Sequence, residues 1–258
     1  MKLDLSKIKF SNNDIRKNVK IPNILTPKLA EFIGIIVGDG HVGAYKNFPG
    51  GRTFSNYEIR INGNLKDYDY YSVYVNNLTE ELFNVRFYIL IPKDENSVAL
   101  YKNSKALYHF LADCFGIPQI KEIVEIPQQV LNSTLEIKSS FLRGLADSDF
   151  TFMIKNRNGK AYPQVKGCSK SGILIEQVSF ILKEMDITHC TTFEKSYYEK
   201  RKKLYERHVV YINGVNNVQQ WFLKIGFSNS RHLEKYQLFL KKRAGEDSNS
   251  RPKGNSIR

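Results

Sequence analysis

One stretch constrains this chain more than any other: Leu29 to Gly40, LAEFIGIIVGDG, an apolar run ending in a carboxylate held between two glycines. It is echoed by Ser139 to Phe150, SSFLRGLADSDF, in which Gly144 takes the place of Gly34, Ser148 that of Gly38 and Asp149 that of Asp39. Small residues recur at every fourth position, at Ala30, Gly34 and Gly38 and again at Ser140, Gly144 and Ser148. On a helix such positions form one stripe, along which a second backbone can approach closely. A lone stretch of this kind reads as a buried core helix. Its repetition points to two such helices packed together, each ending at an aspartate.

Gly38, Gly40 and Gly43 also spell G-x-G-x-x-G. A dinucleotide loop needs a strand before it and a helix opening after it, whereas AYKNFPGGRTF follows, with no helical period, and the second copy lacks the glycines. The nucleotide reading is therefore rejected. No apolar run of 18 residues and no charged-then-apolar leader is present, so neither a membrane span nor a secretory signal is expected. Cys114, Cys168 and Cys190 are odd in number and spaced unlike metal ligands, which reads as reduced, buried thiols in an intracellular, reducing compartment. The five histidines are scattered, so zinc is not expected.

The formal charge of +13 points to a polyanionic partner, but its distribution matters. Residues 1–28 hold seven Lys/Arg against two acids and residues 241–258 hold six against two, so the ends carry most of the excess. Residues 1–25 read as a basic arm, either solvated or touching phosphates. Thr26-Pro27 is an N-cap followed by an N1 proline and starts the first motif helix. Strands are expected at 41–48 and 55–62, a helix at 66–83, a strand pair in RFYILIP and SVALYK, and a helix at 104–115 closed by Gly116-Ile117-Pro118. Residues 119–132 are a connector, and Ser133-Thr134-Leu135-Glu136 is a capping-box pattern for the second motif helix. The same order then repeats: strands at 151–157 and 162–168, a helix at 170–185, strands at 189–198 and 206–213, and a helix at 216–225. A short helix at 230–240 is added, and the polar stretch 241–258 is expected to be disordered. The fold class is α+β, a tandem duplication of an α-β-β-α-β-β-α unit with repeats at 26–118 and 133–240.

This duplicated order, with LAEFIGIIVGDG and FLRGLADSD as its specific parts and IGFSNSRHLEKY near the end, resembles the LAGLIDADG homing endonucleases of the single-chain, two-repeat kind. The resemblance implies motif helices at a pseudo-twofold axis and two curved antiparallel sheets lying along the major groove of double-stranded DNA. It implies an intron-encoded monomer that cuts a long asymmetric target. The chemistry fits independently, because two carboxylates forced together are costly unless a cation neutralises them. Mg2+, or another divalent cation such as Mn2+, takes one or two carboxylates together with phosphate oxygens and water, and can promote in-line displacement at phosphorus. Asp39 and Asp149 are thus expected as metal ligands, with the carbonyls of Gly38 and Ser148 as helpers.

Lys102 ends the fourth strand, where the family often places a lysine near the scissile phosphate; the alternative is an exposed strand-end lysine. Gln164 either orders an attacking water or faces DNA, and His41 either touches the site or faces DNA. Base reading falls to alternate strand side chains, since one sheet face packs on helices and the other meets the groove. The candidates are Lys46, Arg52, Glu58, Arg60, Asn62, Lys155, Arg157, Gln164, Lys166, Lys195, Tyr197 and His208. Lys200, Arg201, Lys202 and Lys203 fall at a hairpin tip suited to backbone phosphates. Two departures bear on the second centre: Phe150 replaces the glycine that usually follows the aspartate, and Asn213-Gly214 offers no lysine matching Lys102. Three readings compete: an active DNA endonuclease, a maturase that binds intron RNA, and a DNA-binding regulator without cleavage. Retention of both aspartates favours the first.

Overall fold

The computed structural model describes residues 1–47, 54–93, 95–120, 123–157, 160–199 and 202–249. At its centre lies α2 (Pro27–Gly38), opened as expected by Pro27 at the first turn and by Thr26, whose hydroxyl accepts from the Leu29 N–H at 3.2 Å. Every residue from Leu29 to Val37 is buried. A helix covered on every side, with buried Glu31 held by the Tyr74 hydroxyl, has only the inside of a protein to occupy.

Its partner α6 (Leu135–Asp149) starts one residue later than the capping box implies. Thr134 is the N-cap and makes no side-chain cap bond, while the Ser133 hydroxyl donates to the Val130 carbonyl at 2.7 Å. The reason is α5 (Gln128–Leu131), a single turn inside the expected connector whose Val130 carbonyl accepts from both the N–H and the hydroxyl of the serine.

The small-residue stripes meet. A Cβ built on Gly34 would lie 2.1 Å from the Phe141 carbonyl oxygen, and one on Gly144 would lie 2.0 Å from that of Glu31. Glycine is required at both because the opposing atoms are backbone and cannot swing aside.

Each motif helix runs into its own four-stranded antiparallel sheet. The first has order β1-β2-β4-β3, from β1 (Gly40–Asn47), β2 (Phe54–Asn64), β3 (Tyr88–Leu90) and β4 (Ser97–Asn103). The second has order β5-β6-β8-β7, from β5 (Phe150–Arg157), β6 (Lys160–Ser169), β7 (Cys190–Tyr198) and β8 (Lys203–Asn213). The registers correspond: Gly40 pairs Ile61 as Phe150 pairs Gly167, so Arg60 and Lys166 are equivalent, as are Lys102 and Ile212. Helices α3 (Asn76–Phe83) and α4 (Lys105–His109) belong to the first repeat, α7 (Gly172–Glu184) and α8 (Val215–Lys224) to the second.

Several expectations are corrected. The helix at 66–83 is broken into a 3-10 turn (Leu65–Asp67), a π-helical stretch (Tyr70–Val75) and α3, and the helix at 104–115 ends in a π-helical turn (Phe110–Cys114). The basic arm is docked: Leu3, Val19 and Leu25 join the core, and buried Asp14, within α1 (Asn12–Arg16), accepts from the Ser104 hydroxyl at 2.7 Å and the Ala106 N–H at 3.2 Å. Spaced far apart, its few apolar anchors gave no periodic signal. The last helix, α9 (Ser230–Asn249), runs past residue 240. Tyr236 stacked on Phe222 at 3.6 Å and buried Phe239 nucleate it, and elongation costs little after that. All three cysteines are free, but none is fully buried: Cys114 and Cys168 are half-buried and Cys190, at a strand start, is exposed. No helix among the described residues is long and apolar enough to cross a membrane.

Candidate active site

The two motif helices deliver their aspartates to neighbouring points. Asp39 is the C-cap of α2; its N–H donates to the Ile35 carbonyl at 2.9 Å, and its own carbonyl accepts from the Asn62 N–H at 3.1 Å, tying the helix end to β2. Asp149 is the last residue of α6. Gly38 lies between them: a Cβ there would sit 2.5 Å from Ser148 Cβ and 3.4 Å from Asp149 Oδ2. The Ser148 hydroxyl donates to the Gly144 carbonyl at 3.1 Å.

The surroundings of the two carboxylates differ. Asp39 lines a cleft of about 440 Å³ with Asn62, Asp67, Tyr71, Asp147, Ser148 and Arg231, and the Tyr71 hydroxyl donates to its Oδ2 at 2.7 Å. Asp67 is held by Arg231 Nε at 2.9 Å and Asn229 Nδ2 at 3.0 Å. Asp147 accepts from the Ser228 and Asn229 N–H groups, and burial still raises its pKa to about 7. Asp149 lines a cleft of about 640 Å³ with Gly38, Cys168, Lys170, Tyr205 and Arg207. Burial, then the Asp149 charge, pushes the Cys168 thiol up. Arg231 stands in the IGFSNSRHLEKY segment noted above, but nothing local marks Tyr71, Asp147, Cys168 or Arg207 as site residues.

Phe150 does not crowd the second centre. It is buried, stacks on Trp221 at 5.6 Å, and fills the space that a Cβ on Gly167 would need. At the equivalent position of the first centre a Cβ on Gly40 would lie 2.6 Å from the Ile36 backbone.

Lys102 is not near Asp39. Strand alternation places it on the helix side with Val42 and Ile59, where it is buried and donates to the Arg86 carbonyl at 3.1 Å. Burial, then Lys17, lowers its pKa. Gln164 lies on the open face but three positions from Gly167, which is level with Phe150; at about 3.3 Å per residue that is roughly 10 Å along the strand. Its amide donates to Asn213, which makes it part of the groove floor.

The open face of the first sheet carries His41, Glu58, Arg60 and Asn62. Arg60 lies 3.0 Å from Glu58 and 5.7 Å from the Tyr101 ring centroid, and His41 Nε2 is 2.6 Å from the Tyr45 hydroxyl. That of the second carries Lys155, Gln164 and Lys166. There Glu194 gathers Lys166 at 3.1 Å, Arg207 at 3.0 Å and the Tyr211 hydroxyl, and the Tyr211 bond, followed by its cationic partners, lowers its pKa to about 2.

His208 and Lys195 are on the wrong side for the groove. His208 is 3.0 Å from the position a Gly172 Cβ would take, against α7, and Lys195 pairs with Glu206 at 2.6 Å while lying over Phe193. Each is one residue out of phase with Arg207 or Glu194, and a one-residue slip reverses the face. Tyr197 is exposed and lines the Asp149 cleft. Lys202 is exposed at the β7–β8 turn with φ of 46°. Arg52, Lys200 and Arg201 lie outside the described residues, as do the side chains of Lys46, Arg157 and Lys203.

Two tandem units joined through glycine-lined helices, each helix ending at a carboxylate above its own sheet, define a known class: the fold is that of the LAGLIDADG homing endonucleases. Among solved structures, the chain is similar to I-SmaMI bound to uncleaved DNA target in the presence of calcium ions, with a TM-score of 0.58, 8% identity, and 88% of this chain and 93% of that one covered. It is similar to the I-LtrWI LAGLIDADG homing endonuclease bound to target DNA, with a TM-score of 0.56, 12% identity and coverage of 86% and 93%. It is also similar to I-DmoI in complex with DNA and Ca, with a TM-score of 0.52, 19% identity and coverage of 77% and 88%. No family model matches the chain. A glutamine–fructose-6-phosphate aminotransferase (isomerizing) of Methanocaldococcus jannaschii is 26% identical over 232 residues, covering 88% of this chain and 19% of that protein. An A-type ATP synthase subunit of Pyrococcus abyssi is 30% identical over 132 residues, covering 49% of this chain and 11% of that protein. The chain thus spans a fifth or less of the curated relatives it matches.

Proposed function

We propose that the protein is a site-specific double-strand DNA endonuclease that hydrolyses phosphodiesters with a divalent cation, acting as a monomer with Asp39 and Asp149 as the two metal-binding carboxylates. The observation that carries this reading is the meeting of the helix ends, with Asp149 Oδ2 only 3.4 Å from where a Gly38 Cβ would be, one residue from Asp39. A fold shared with proteins crystallised on DNA with Ca or Mn supports it. So does similarity to small parts of two relatives of unrelated name, as a portable unit would show.

The donors fit a hard cation. They are carboxylate and carbonyl oxygens, and among the described residues no group of three or more His, Cys, Asp or Glu is arranged to hold a metal. That set suits Mg2+ or Mn2+, whose remaining positions go to phosphate oxygens and water. When bound, the cation would stabilise charge at phosphorus and lower the pKa of an attacking water. The chain's own residues then have separate tasks. Asp39 and Asp149 hold charge beside each scissile phosphate. Arg207 and Lys170, in the Asp149 cleft, are placed to attract the backbone, and Arg60, Asn62, Lys155 and Lys166 to read or grip the groove.

Incubation of the protein and Mg2+ with a DNA library, followed by sequencing of the ends, tests the reading. Recurrent cut sites that vanish in Asp39→Asn and Asp149→Asn are expected. DNA retained in Mg2+ but never cut would instead mark a regulator. Intron RNA held equally by the doubly substituted protein would mark a maturase.

A further inference from the structure

Three phenols leave one short piece of backbone, and each meets a carboxylate of the central helix pair. Tyr70 donates to Asp147 Oδ2 at 3.2 Å, Tyr71 to Asp39 Oδ2 at 2.7 Å and Tyr74 to Glu31 Oε1 at 2.6 Å. The backbone that carries them, Tyr70–Val75, is π-helical, a conformation frequent at functional sites. Tyr71 is the tooth of this comb that reaches a proposed metal ligand. Its ring is buried, packs edge-on to Tyr70 at 5.0 Å, and is seated against Gly63 of β2, where an added Cβ would fall 2.1 Å from Tyr71 Cε2. Gly63 pairs with Val98 next to Asn62, the residue whose N–H ties down the Asp39 carbonyl. Both the backbone and the side chain of Asp39 are therefore held by the same corner of the first repeat.

The other two acids of this cleft are engaged elsewhere. Asp67 serves Arg231 and Asn229, and Asp147 serves the backbone of Ser228 and Asn229. These bonds dock the α8–α9 loop. Asp147 also takes the longer bond from Tyr70, whereas Asp39, the proposed metal ligand of the three, takes the shorter one from Tyr71. An O–H to carboxylate bond of this length is charge-assisted and directional.

We infer that Tyr71 is a positioning residue for the first centre, holding Asp39 by Oδ2 so that the carboxylate presents a fixed face to the metal and the scissile phosphate. This rests on the endonuclease reading above. The hydroxyl does not touch substrate; it acts through Asp39, so its loss is felt by the DNA strand that Asp39 serves.

The test is Tyr71→Phe, which keeps the ring against Gly63 and Tyr70 and removes only the donor. Tyr74→Phe is the control, since it removes a bond of the same kind from the same turn, directed at Glu31. Mn2+ binding to the protein without DNA, followed by electron paramagnetic resonance, gives a readout independent of cleavage. In Tyr71→Phe the Mn2+ binding component that disappears in Asp39→Asn is expected to weaken about tenfold, the loss of one charge-assisted bond, with the Asp149 component unmoved. On a cut site labelled separately on each strand, one strand is expected to slow by about tenfold and the other to keep its rate. Tyr74→Phe should change neither readout. An unchanged Mn2+ midpoint, equal slowing of both strands, or the same behaviour in Tyr74→Phe would overturn the inference while leaving the endonuclease reading intact. Wild-type protein that neither binds Mn2+ nor cuts any library member would overturn both.

Discussion

Gly144→Ala tests the helix contact on which both carboxylates depend. The added Cβ would stand 2.0 Å from the Glu31 carbonyl oxygen, 2.9 Å from its carbon and 3.0 Å from the Ile35 nitrogen. All three are backbone atoms of α2, so no rotamer change relieves the clash. Non-bonded heavy atoms settle at about 3.5 Å, which requires the helices to part by roughly 1.5 Å. Overpacking of this kind costs about 1–3 kcal/mol, and the absence of any yielding side chain puts this case at the upper end. Alanine is the better helix former by about 1 kcal/mol, which offsets part of it. A net loss of about 2 kcal/mol corresponds to a fall in Tm of about 4–8 °C for a chain of this size. Urea and thermal unfolding would measure it, with the urea m-value unchanged. Cleavage should suffer more, because a displacement of about 1 Å at a reacting centre can cost about a hundredfold. A Gly144→Ala protein as stable as the parent, or more stable by the helix-propensity gain, would refute the close packing.

Other outcomes follow from particular side chains. Lys102→Ala should leave the ratio of the two strand-cleavage rates unchanged, because its ammonium bonds Arg86 inside the first repeat; a selective slowing of one strand would return it to the active site. Glu194→Gln should tighten binding to non-target DNA and steepen its salt dependence, since Lys166 and Arg207 lose their common anion; a salt slope equal to the parent's would count against this. His232 is buried with neither ring nitrogen hydrogen-bonded, and burial, then Arg231 and Lys235, depress its pKa to about 4. A depressed imidazole pKa means that the unfolded chain binds the proton first, so this stability is whole above the ordinary value of about 6.5 and is lost as pH falls towards 4. His232→Phe, which can keep the stacking on Phe227, should flatten the urea midpoint between those limits, and an undiminished slope would assign the acid sensitivity elsewhere.

The helix ends at Asp39 and Asp149, the duplication and the strand order were legible in the chain because each leaves a periodic trace. Small residues four apart mark a helix contact, and alternation along SNYEIRIN marks a strand with one covered face. The equivalence of Arg60 with Lys166 was not legible, because aligning the two aspartates matches Arg60 with Lys170, and only the strand pairing shifts the match to Lys166. What the local pattern could not supply is phase and partner. Lys102 and His208 sit in convincing strands, yet a shift of one residue turns them to the helices. Only the pairing of β4 with β2 and of β8 with β6 decides that. Phe150 looks obstructive in sequence and is harmless in space, because Gly167 and Trp221 receive it. Tyr71 and Arg231 are far from Asp39 along the chain and share its cleft through a π-helical stretch and a loop. Sequence periodicity reports which face of an element is covered; what covers it, and which side chains from remote segments converge on a helix end, is decided only when the sheets close around the helix pair.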